Sequence, residues 1–389
     1  MSYHLFAVTV PGLEPFTQAE LAALGIKSRL PQVKNMPGET QEESGGVEFE
    51  AGLSDLYRTN LQLRTANRIL VRMGEFYAAA FSELRSKAGR LPWELYLKPG
   101  QPVTLRVTCH KSRLYHSDAV AERIAGAIGD HLGQPVPVVK SAPATEPAKR
   151  ALQPKLVMVR LVHDQCTISL DTSGELLHRR GYRLETAKAP LRETLAAGLL
   201  LASTWDATSP LIDPFCGSGT IPIEAALIAR RIAPGKNRHF AFMDWPGFDS
   251  HLWQTCYAEA IANEQLATGP ILASDRDAGA VRIAQSNAER AGVLADIQFS
   301  CRSFSAIEPP AGPGWIVTNP PYGVRVSASH DLRDLYTHLG DVLRSLCPSW
   351  QAGILCASDY LAGHTRLQFD RILPLVNGGI PVKFFTGRV

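Results

Sequence analysis

No apolar run in this chain approaches the roughly 18 residues that a membrane-spanning helix needs, so a bilayer crossing of that kind is not expected. Met1-Ser2-Tyr3-His4 carries no basic segment ahead of an apolar core. No secretory signal is therefore expected, and the expected compartment is the cytoplasm. The seven cysteines (Cys109, Cys166, Cys216, Cys256, Cys301, Cys347 and Cys356) are odd in number, and no two stand in a CxxC spacing. That argues against a disulfide framework or a zinc knuckle, and no metal site is expected. Internal repeats and low-complexity tracts are lacking too. Neither sign of charge dominates, with 40 Lys+Arg against 37 Asp+Glu. The small excess is uneven: residues 1–190 hold 24 basic against 19 acidic side chains, the remainder 16 against 18. A modestly basic first half suits nucleic-acid docking, although a chance asymmetry among solvated charges reads equally well.

What is present divides into two regions. In the first, Leu5–Val10 reads as a strand, Glu14–Leu24 as a helix ended by Gly25, and Val47–Glu50 as a strand. The polar stretch between, Pro31–Gly46, reads as a surface loop. Asp55–Arg72 has a helical pattern that would stack Arg64, Arg68 and Arg72 on one face. Such a stripe can track a phosphate backbone, or be a solvated face partly paired with acids. A helix follows at Phe81–Ala88, then a strand at Val103–Cys109. His110–Ser117 interleaves basic and aromatic side chains (Lys111, Arg113, Tyr115) ahead of a helix at Asp118–Leu132. This loop is a candidate phosphate holder, with a purely structural loop as its rival. Ser141–Pro154 reads as an extended loop, and Leu156–Val162 with Gln165–Asp171 as paired strands. Leu176–Arg183, with Arg179, Arg180 and Arg183, reads as a linker.

From Leu211 onward strands and helices alternate. Strands are expected at Leu211–Pro214, Ile271–Ser274, Ile297–Cys301, Trp315–Thr318, Gly353–Ala357 and Val382–Thr386. Helices are expected at Leu191–Ala202, Ile221–Arg231, Ala278–Ala291 and Leu332–Leu346, with a long insertion at Ala233–Gly269. This rhythm predicts a doubly wound α/β sheet. Asp213-Pro214-Phe215-Cys216-Gly217-Ser218-Gly219-Thr220 places a glycine turn between its first strand and helix. It is no Walker A loop, lacking the lysine, and no GxGxxG, since Pro222 stands at the third glycine position. Asp213 can accept hydrogen bonds from a ligand, and an α-ammonium group would suit it. Asp275 ends the next strand, where such sheets bind ribose hydroxyls; capping the following helix is the alternative, and Asp277 can fill that role. Asn319-Pro320-Pro321-Tyr322-Gly323 follows another strand. Two prolines remove two donors, which leaves the Asn319 side-chain oxygen and the Pro320 carbonyl as acceptors for an exocyclic amine. Tyr322 offers a face for stacking a base.

Asp213–Thr220 together with Asn319–Tyr322 resembles the class I S-adenosylmethionine-dependent amino-methyltransferases. Arg64-Thr65-Ala66-Asn67-Arg68, Pro92-Trp93-Glu94, His178–Arg183, Ile223-Glu224-Ala225-Ala226 and Asn377-Gly378 are similar to the THUMP-domain RNA methyltransferases. The likeness is greatest to the bacterial enzymes that make N2-methylguanosine in large-subunit ribosomal RNA. It implies an α+β ferredoxin-like part at 1–55 and a THUMP RNA-binding domain at 56–172. A linker at 173–190 and a Rossmann-like methyltransferase domain with an antiparallel last strand at 191–389 would follow. The implied cofactor is S-adenosylmethionine, held by Asp213, Phe215, Cys216, Gly217, Ser218, Gly219, Thr220, Asp275, Arg276, Ser303, Phe304 and Asn319. The implied catalytic group is Asn319, Pro320, Pro321 and Tyr322. The implied partner is structured RNA, met by Arg64, Arg68, Arg72, Lys111, Arg113, Arg179, Arg180 and Arg183. One position departs from the pattern: Ser303 stands where the family places an acid near the adenine amine.

The expected reaction is direct methyl transfer to the N2 amine of a flipped guanine, driven by orientation and electrostatics, with Cys216 not a nucleophile. Three alternatives stay open: a tRNA guanine methyltransferase, an N6-adenine methyltransferase, and an RNA-binding factor with an inactive fold.

Overall fold

The computed structural model describes residues 2–31, 45–140, 154–183, 191–322 and 329–389. Most of the two loops expected at Pro31–Gly46 and Ser141–Pro154 lies outside the described residues, as do the end of the linker and Gly323. The first half runs β1 (Tyr3–Thr9), α1 (Glu14–Ala23), β2 (Ser28–Arg29), β3 (Gly46–Ala51), α2 (Leu53–Gln62), β4 (Ala66–Tyr77), α3 (Phe81–Ala88), β5 (Val103–His110), α4 (Ser117–Leu132), β6 (Lys155–Val162) and β7 (Gln165–Asp171). Its seven strands form one sheet of order β2-β3-β1-β4-β7-β6-β5. The 12-residue β4 is the seam: its first part pairs with β1 and its last part with β7.

β4 corrects the helix expected over Asp55–Arg72. The helix stops at Gln62, Leu63 turns to an extended conformation, and the chain returns as a strand. Ile69-Leu70-Val71 is buried on both faces, so it shows no alternation. An apolar run of that length does not distinguish helix from strand by periodicity. No arginine stripe forms. Arg68 is buried and paired with Asp171, and it also donates to Gly174 O at 2.8 Å. The Arg72 guanidinium lies 4.2 Å over the Phe6 ring and 3.9 Å from Glu48. Arg64 reaches across to the second half, as described below.

The second half runs α5 (Glu193–Ala202), β8 (Leu211–Asp213), α6 (Thr220–Ala229), α7 (Ser250–Ala262), β9 (Ile271–Asp275), α8 (Ala278–Ala291), β10 (Ile297–Cys301), β11 (Trp315–Thr318), α9 (Ser329–Leu346), β12 (Gln351–Cys356), α10 (Asp359–His364), β13 (Gln368–Asn377) and β14 (Ile380–Arg388). The strand order is β10-β9-β8-β11-β12-β14-β13. The ladders from β10 to β12 are parallel, and β14 inserts antiparallel between β12 and β13. The chain winds outward from β8 through β9 to β10, then crosses back to β11. The order therefore reverses between β8 and β11, the switch point where doubly wound sheets bind ligands. β13 and α7 were not anticipated. β13 is an edge strand with Pro374, a register shift near Arg371 and largely exposed side chains, so its apolar alternation is weak.

The insertion at 233–269 packs on the first half instead of on its own sheet. Phe240, Phe242, Trp245 and Trp253 share a buried cluster with Leu56, Tyr57 and Leu61. Tyr57 stacks on Phe242 at 4.6 Å, and its hydroxyl accepts from Asp249 N at 3.0 Å. In return, Val10 and Leu13 of the β1–α1 turn enter the second half's core with Leu195, Leu199 and Leu375. Each half thus lends apolar residues to the other's interior.

Candidate active site

The site grows from the end of β8. This strand is only three residues long and fully buried, and it delivers Asp213 to the switch point. Gly217 (φ +51°) and Gly219 (φ +84°) then occupy the left-handed region, which glycine enters at little cost. Their reasons differ. A Cβ on Gly219 would stand 2.9 Å from Ala284 Cβ, so its absence lets α8 pack tightly against the turn. A Cβ on Gly217 would meet no protein atom within 4 Å, so that side of the turn faces open space. α6 opens at Thr220 with no side-chain cap, which leaves backbone N–H groups directed out of the turn.

Hydrogen bonds knit the turn to its neighbours. Gly217 N donates to Asp275 Oδ2 at 3.0 Å, and Cys216 N to Ser274 O at 2.9 Å. Asp213 Oδ1 accepts from Phe215 N at 3.2 Å and from Thr318 Oγ1 at 2.7 Å. Thr318 immediately precedes Asn319, so one carboxylate ties the glycine turn to the Asn-Pro-Pro-Tyr corner. Burial pushes the Asp213 carboxyl up to about 7; the two neutral donors pull it down less, and Asp275 adds repulsion. Burial, with Asp213 and Asp275 nearby, also holds the Cys216 thiol well above its ordinary range. That environment disfavours the thiolate a nucleophile needs.

At the corner, Asn319 Oδ1 is buried and has no hydrogen-bond partner among the described residues. Buried acceptors are nearly always satisfied, so an orphan at a switch point marks a place for an incoming donor. Pro320 is buried and Pro321 exposed. The Tyr322 hydroxyl accepts from Asn377 Nδ2 at 3.0 Å. Phe304 stacks on Phe215 at 5.1 Å and meets His338 edge-on, forming an aromatic wall beside the turn. Ser303 caps the short turn that carries Phe304 and accepts from Ser305 Oγ at 2.9 Å. Asp275 Oδ1 accepts from Asp277 N at 3.0 Å, and Asp277 caps α8. Arg276 is exposed, and its carbonyl oxygen lies 3.7 Å from Cys301 Sγ. The structure therefore brings together Asp213, Phe215, Cys216, Gly217, Asp275, Phe304 and the corner.

The basic residues singled out in the linker are distributed otherwise. Arg180 and Arg183 are corrected together with Arg64: all three serve the junction of the two halves. Arg64 Nη2 donates to Leu227 O and Ile232 O, at 3.2 and 2.7 Å, closing the C-terminal end of α6. Arg180 pairs with Glu224 at 2.6 Å and donates to Arg64 O at 2.8 Å. Tyr182 Oη donates to Glu224 Oε1 at 2.9 Å, and Arg183 pairs with Glu193 at 2.8 Å. Glu224 is fully buried, and burial holds its carboxyl above the usual range despite Arg180, Arg64 and Arg183 nearby. Arg179, Lys111 and Arg113 remain on the surface. Asp164 accepts from Arg113 N at 2.6 Å, which anchors the backbone of the His110–Ser117 loop, and its other oxygen lies 3.6 Å from Arg113 Nε, in an ion pair whose guanidinium is largely exposed.

Sequence reasoning gave no site role to Thr318, Asn287 or Asn377, although Asn377-Gly378 is among the motifs that carry the family resemblance. Asn287 is buried within α8 and donates to Ser218 O at 3.0 Å, bracing the glycine turn. An asparagine on the core side of a helix is the signal that was available, because it is a poor helix former there unless it has a partner.

No helix among the described residues is long and apolar enough to cross a membrane, and no group of three or more His, Cys, Asp or Glu among them can hold a metal ion. Three family models cover the chain: a RlmL ferredoxin-like domain over 4–70, a THUMP domain over 78–171, and an RMKL-like methyltransferase domain over 180–383. The Synechocystis protein slr0064, provisionally assigned as an RNA methyltransferase, is 35% identical over 97% of this chain and 94% of its own. The ribosomal RNA large subunit methyltransferase K/L of Methylococcus capsulatus is 34% identical over 100% of this chain. This chain spans about half the length of that relative, 53%. Among solved structures, SMU.472, a methyltransferase candidate in complex with SAH, superposes with a TM-score of 0.84 at 30% identity, covering 99% of this chain and 97% of its own. A Listeria monocytogenes protein, put forward as an N6-adenine-specific DNA methylase, superposes at 0.85 with 31% identity, covering 99% and 96%. The open side of Gly217 and the orphan Asn319 oxygen suit the cofactor of such enzymes. The chain belongs to the RMKL-like methyltransferases, S-adenosylmethionine-dependent enzymes in which ferredoxin-like and THUMP domains precede a Rossmann-like catalytic domain.

Proposed function

We propose that this protein methylates RNA at the exocyclic N2 amine of a guanine, in large-subunit ribosomal RNA, with the base flipped out of its helix. The observation that carries this reading is the buried Asn319 Oδ1 at the switch point, which has no partner among the described residues. S-adenosylmethionine supplies, when bound, an electrophilic methyl group. The chain's own residues do the rest. Asp213 receives the cofactor's ammonium group and Asp275 its ribose hydroxyls. Gly217, Ser218, Gly219 and Thr220 leave room along the turn, with Cys216 packed beneath it. Phe215, Arg276, Ser303 and Phe304 flank the adenine end.

Asn319 Oδ1 and the Pro320 carbonyl accept the two N–H groups of the target amine. Its lone pair is delocalised into the ring, so the amine is a weak nucleophile. Two in-place acceptors favour a more tetrahedral nitrogen aimed at the methyl group, and the gain is one of orientation and electrostatics. Pro321 fixes the corner, and Tyr322 stacks on the flipped base. The surface cations Lys111, Arg113 and Arg179 hold the RNA backbone.

Reading the substrate as RNA rests on the THUMP domain and on what the relatives are named for. One observation favours a second reading, methylation of adenine N6: the Listeria neighbour carries that assignment. The test is nucleoside mass spectrometry of ribosomal and transfer RNA from a deletion strain. Loss of one N2-methylguanosine from large-subunit rRNA is expected. Loss of an N6-methyladenosine instead, or of a modification confined to tRNA, would overturn the reading.

A further inference from the structure

We propose that Asn377 is a positioning residue for methyl transfer, clamping the ring of Tyr322 in the plane on which the target base stacks. The inference rests on the reading of Tyr322 given above.

Tyr322 follows two prolines and lies outside any helix or strand. Its ring is partly buried against two apolar clusters, one on each side of the sheet. Packing of that kind holds a ring in place but does little to stop it swinging at its far end. The hydroxyl supplies the missing restraint, through the 3.0 Å bond from Asn377 Nδ2. Burial raises the phenol above its ordinary range, so both partners are neutral and the bond is an amide donating to a hydroxyl oxygen.

The donor is held more firmly than the tyrosine it holds. Asn377 is the last residue of β13 and pairs with Ile380 of β14 across Gly378-Gly379. Both glycines are left-handed, at φ +59° and +86°. Two consecutive positive φ values in a two-residue loop make a type I′ hairpin, whose twist matches that of its strands. Two residues back along β13, Leu375 is buried opposite Val382, in the cluster against which Tyr322 packs. The ladder and that apolar anchor fix the position of the Asn377 amide. The hairpin, distant in sequence from the Asn-Pro-Pro-Tyr corner, thereby sets the attitude of the corner's aromatic ring.

The test uses Asn377→Ala, Asn377→Asp, Tyr322→Phe and the double variant Tyr322→Phe/Asn377→Ala. The first readout needs no substrate. With tyrosine rings labelled by carbon-13, the Tyr322 resonance is identified by its loss in Tyr322→Phe. The clamp requires that resonance to shift and broaden in Asn377→Ala and to stay narrow in Asn377→Asp, where the phenol donates a hydrogen bond to the carboxylate and the ring remains tied. An unchanged resonance in Asn377→Ala overturns the proposal.

The second readout is methyl incorporation from labelled S-adenosylmethionine into an unmodified 23S rRNA transcript. Asn377→Ala should lower kcat about tenfold, the equivalent of one neutral hydrogen bond, with KM for the cofactor unchanged. Asn377→Asp should recover most of that loss, which a merely structural asparagine would not allow. In the Tyr322→Phe background the alanine substitution should add nothing; losses that multiply would overturn the clamp. A wild-type protein that methylates no such transcript would count against the proposed function, while the ring resonance would still decide the clamp.

Discussion

On the proposed reading, in which Asp213 receives the cofactor's ammonium group, cofactor binding is expected to depend on pH. The Asp213 side chain is almost wholly buried, and its donors among the described residues are a backbone N–H and the Thr318 hydroxyl, both neutral. They do not offset desolvation, and the group titrates at about 7. An incoming ammonium group needs the carboxylate. The sign follows directly: below pH 7 the free protein carries the protonated acid, and binding must expel that proton. If binding takes only the ionised form, cofactor affinity falls as the ionised fraction falls, about tenfold between pH 8 and pH 6. The apo fold responds in the opposite sense. A buried acid whose pKa is raised costs stability as pH climbs from its unfolded value toward 7, so this group favours the empty protein in acid and the complex in base. The assay is titration calorimetry with SAH at several pH values, in buffers of differing ionisation heat, so that proton release is counted directly. Asp213→Asn removes both the charge and the titration. It should weaken binding by about 1.5–3 kcal/mol, the range for hydrogen bonds to charged groups, or roughly 10- to 150-fold. It should also abolish the pH dependence. A wild-type affinity that is flat from pH 6 to 8, or an asparagine variant that binds as tightly as wild type, refutes the reasoning.

Other perturbations separate the parts of the site. Asn319→Ala removes the unpartnered acceptor and should lower turnover by about 10²–10³-fold, the scale for losing one preorganised electrostatic group; an unchanged SAH affinity by calorimetry would place the loss in the transfer step. Gly219→Ala puts a methyl group 2.9 Å from Ala284 at φ +84°. It should destabilise the fold by about 1–3 kcal/mol, read by denaturant midpoint, and weaken cofactor binding with it. Arg64→Ala strips the cap from Leu227 O and Ile232 O; it should lower stability without changing the salt slope of RNA binding. Arg113→Ala should reduce that slope by about one while leaving stability alone. A salt slope that follows Arg64 and ignores Arg113 would reverse these assignments.

The methyltransferase half was legible because its chemistry is local. A strand end, a glycine turn and a helix start lie within the run from Leu211 to Thr220, and Asn319 to Tyr322 is one contiguous corner. A parallel strand buried on both faces shows as an apolar run, as Trp315–Thr318 does, and both it and the edge strand Ile297–Cys301 were located to the residue. The contacts that make these pieces one site were not legible. Thr318 on Asp213, Asn287 on Ser218 O and Asn377 on Tyr322 join residues 105, 69 and 55 positions apart. No periodicity carries that information. β4 failed for a different reason: the arginines at 64, 68 and 72 have helical spacing, and Ile69-Leu70-Val71 gives no alternation to oppose it.

That failure also changes how the charge of the first half is read. Five of the eight basic residues assigned to RNA from sequence are used inside the protein. Arg68 answers Asp171, Arg72 covers Phe6 beside Glu48, Arg183 answers Glu193, Arg180 answers Glu224, and Arg64 closes a helix of the other half. A charge spent on a buried carboxylate or on helix carbonyls contributes little to the field outside, so the basic excess over 1–190 overstates the RNA footprint. What those arginines supply instead is a fixed junction. Arg64 and Arg180 hold α6, the helix that opens at the glycine turn, while the aromatic insertion grips α2 from the opposite direction. On the proposed reading, with RNA docked at Lys111 and Arg113, a junction fixed through the ferredoxin-like part would present to Asn319 only a base at a set reach. Loosening the insertion, as with Trp253→Ala, should therefore blur which nucleotide is methylated before it abolishes methylation. Mapping the modified positions in a transcript by reverse transcription would show that change as new sites, and a variant that lost activity with no new sites would argue that the insertion only stabilises the fold.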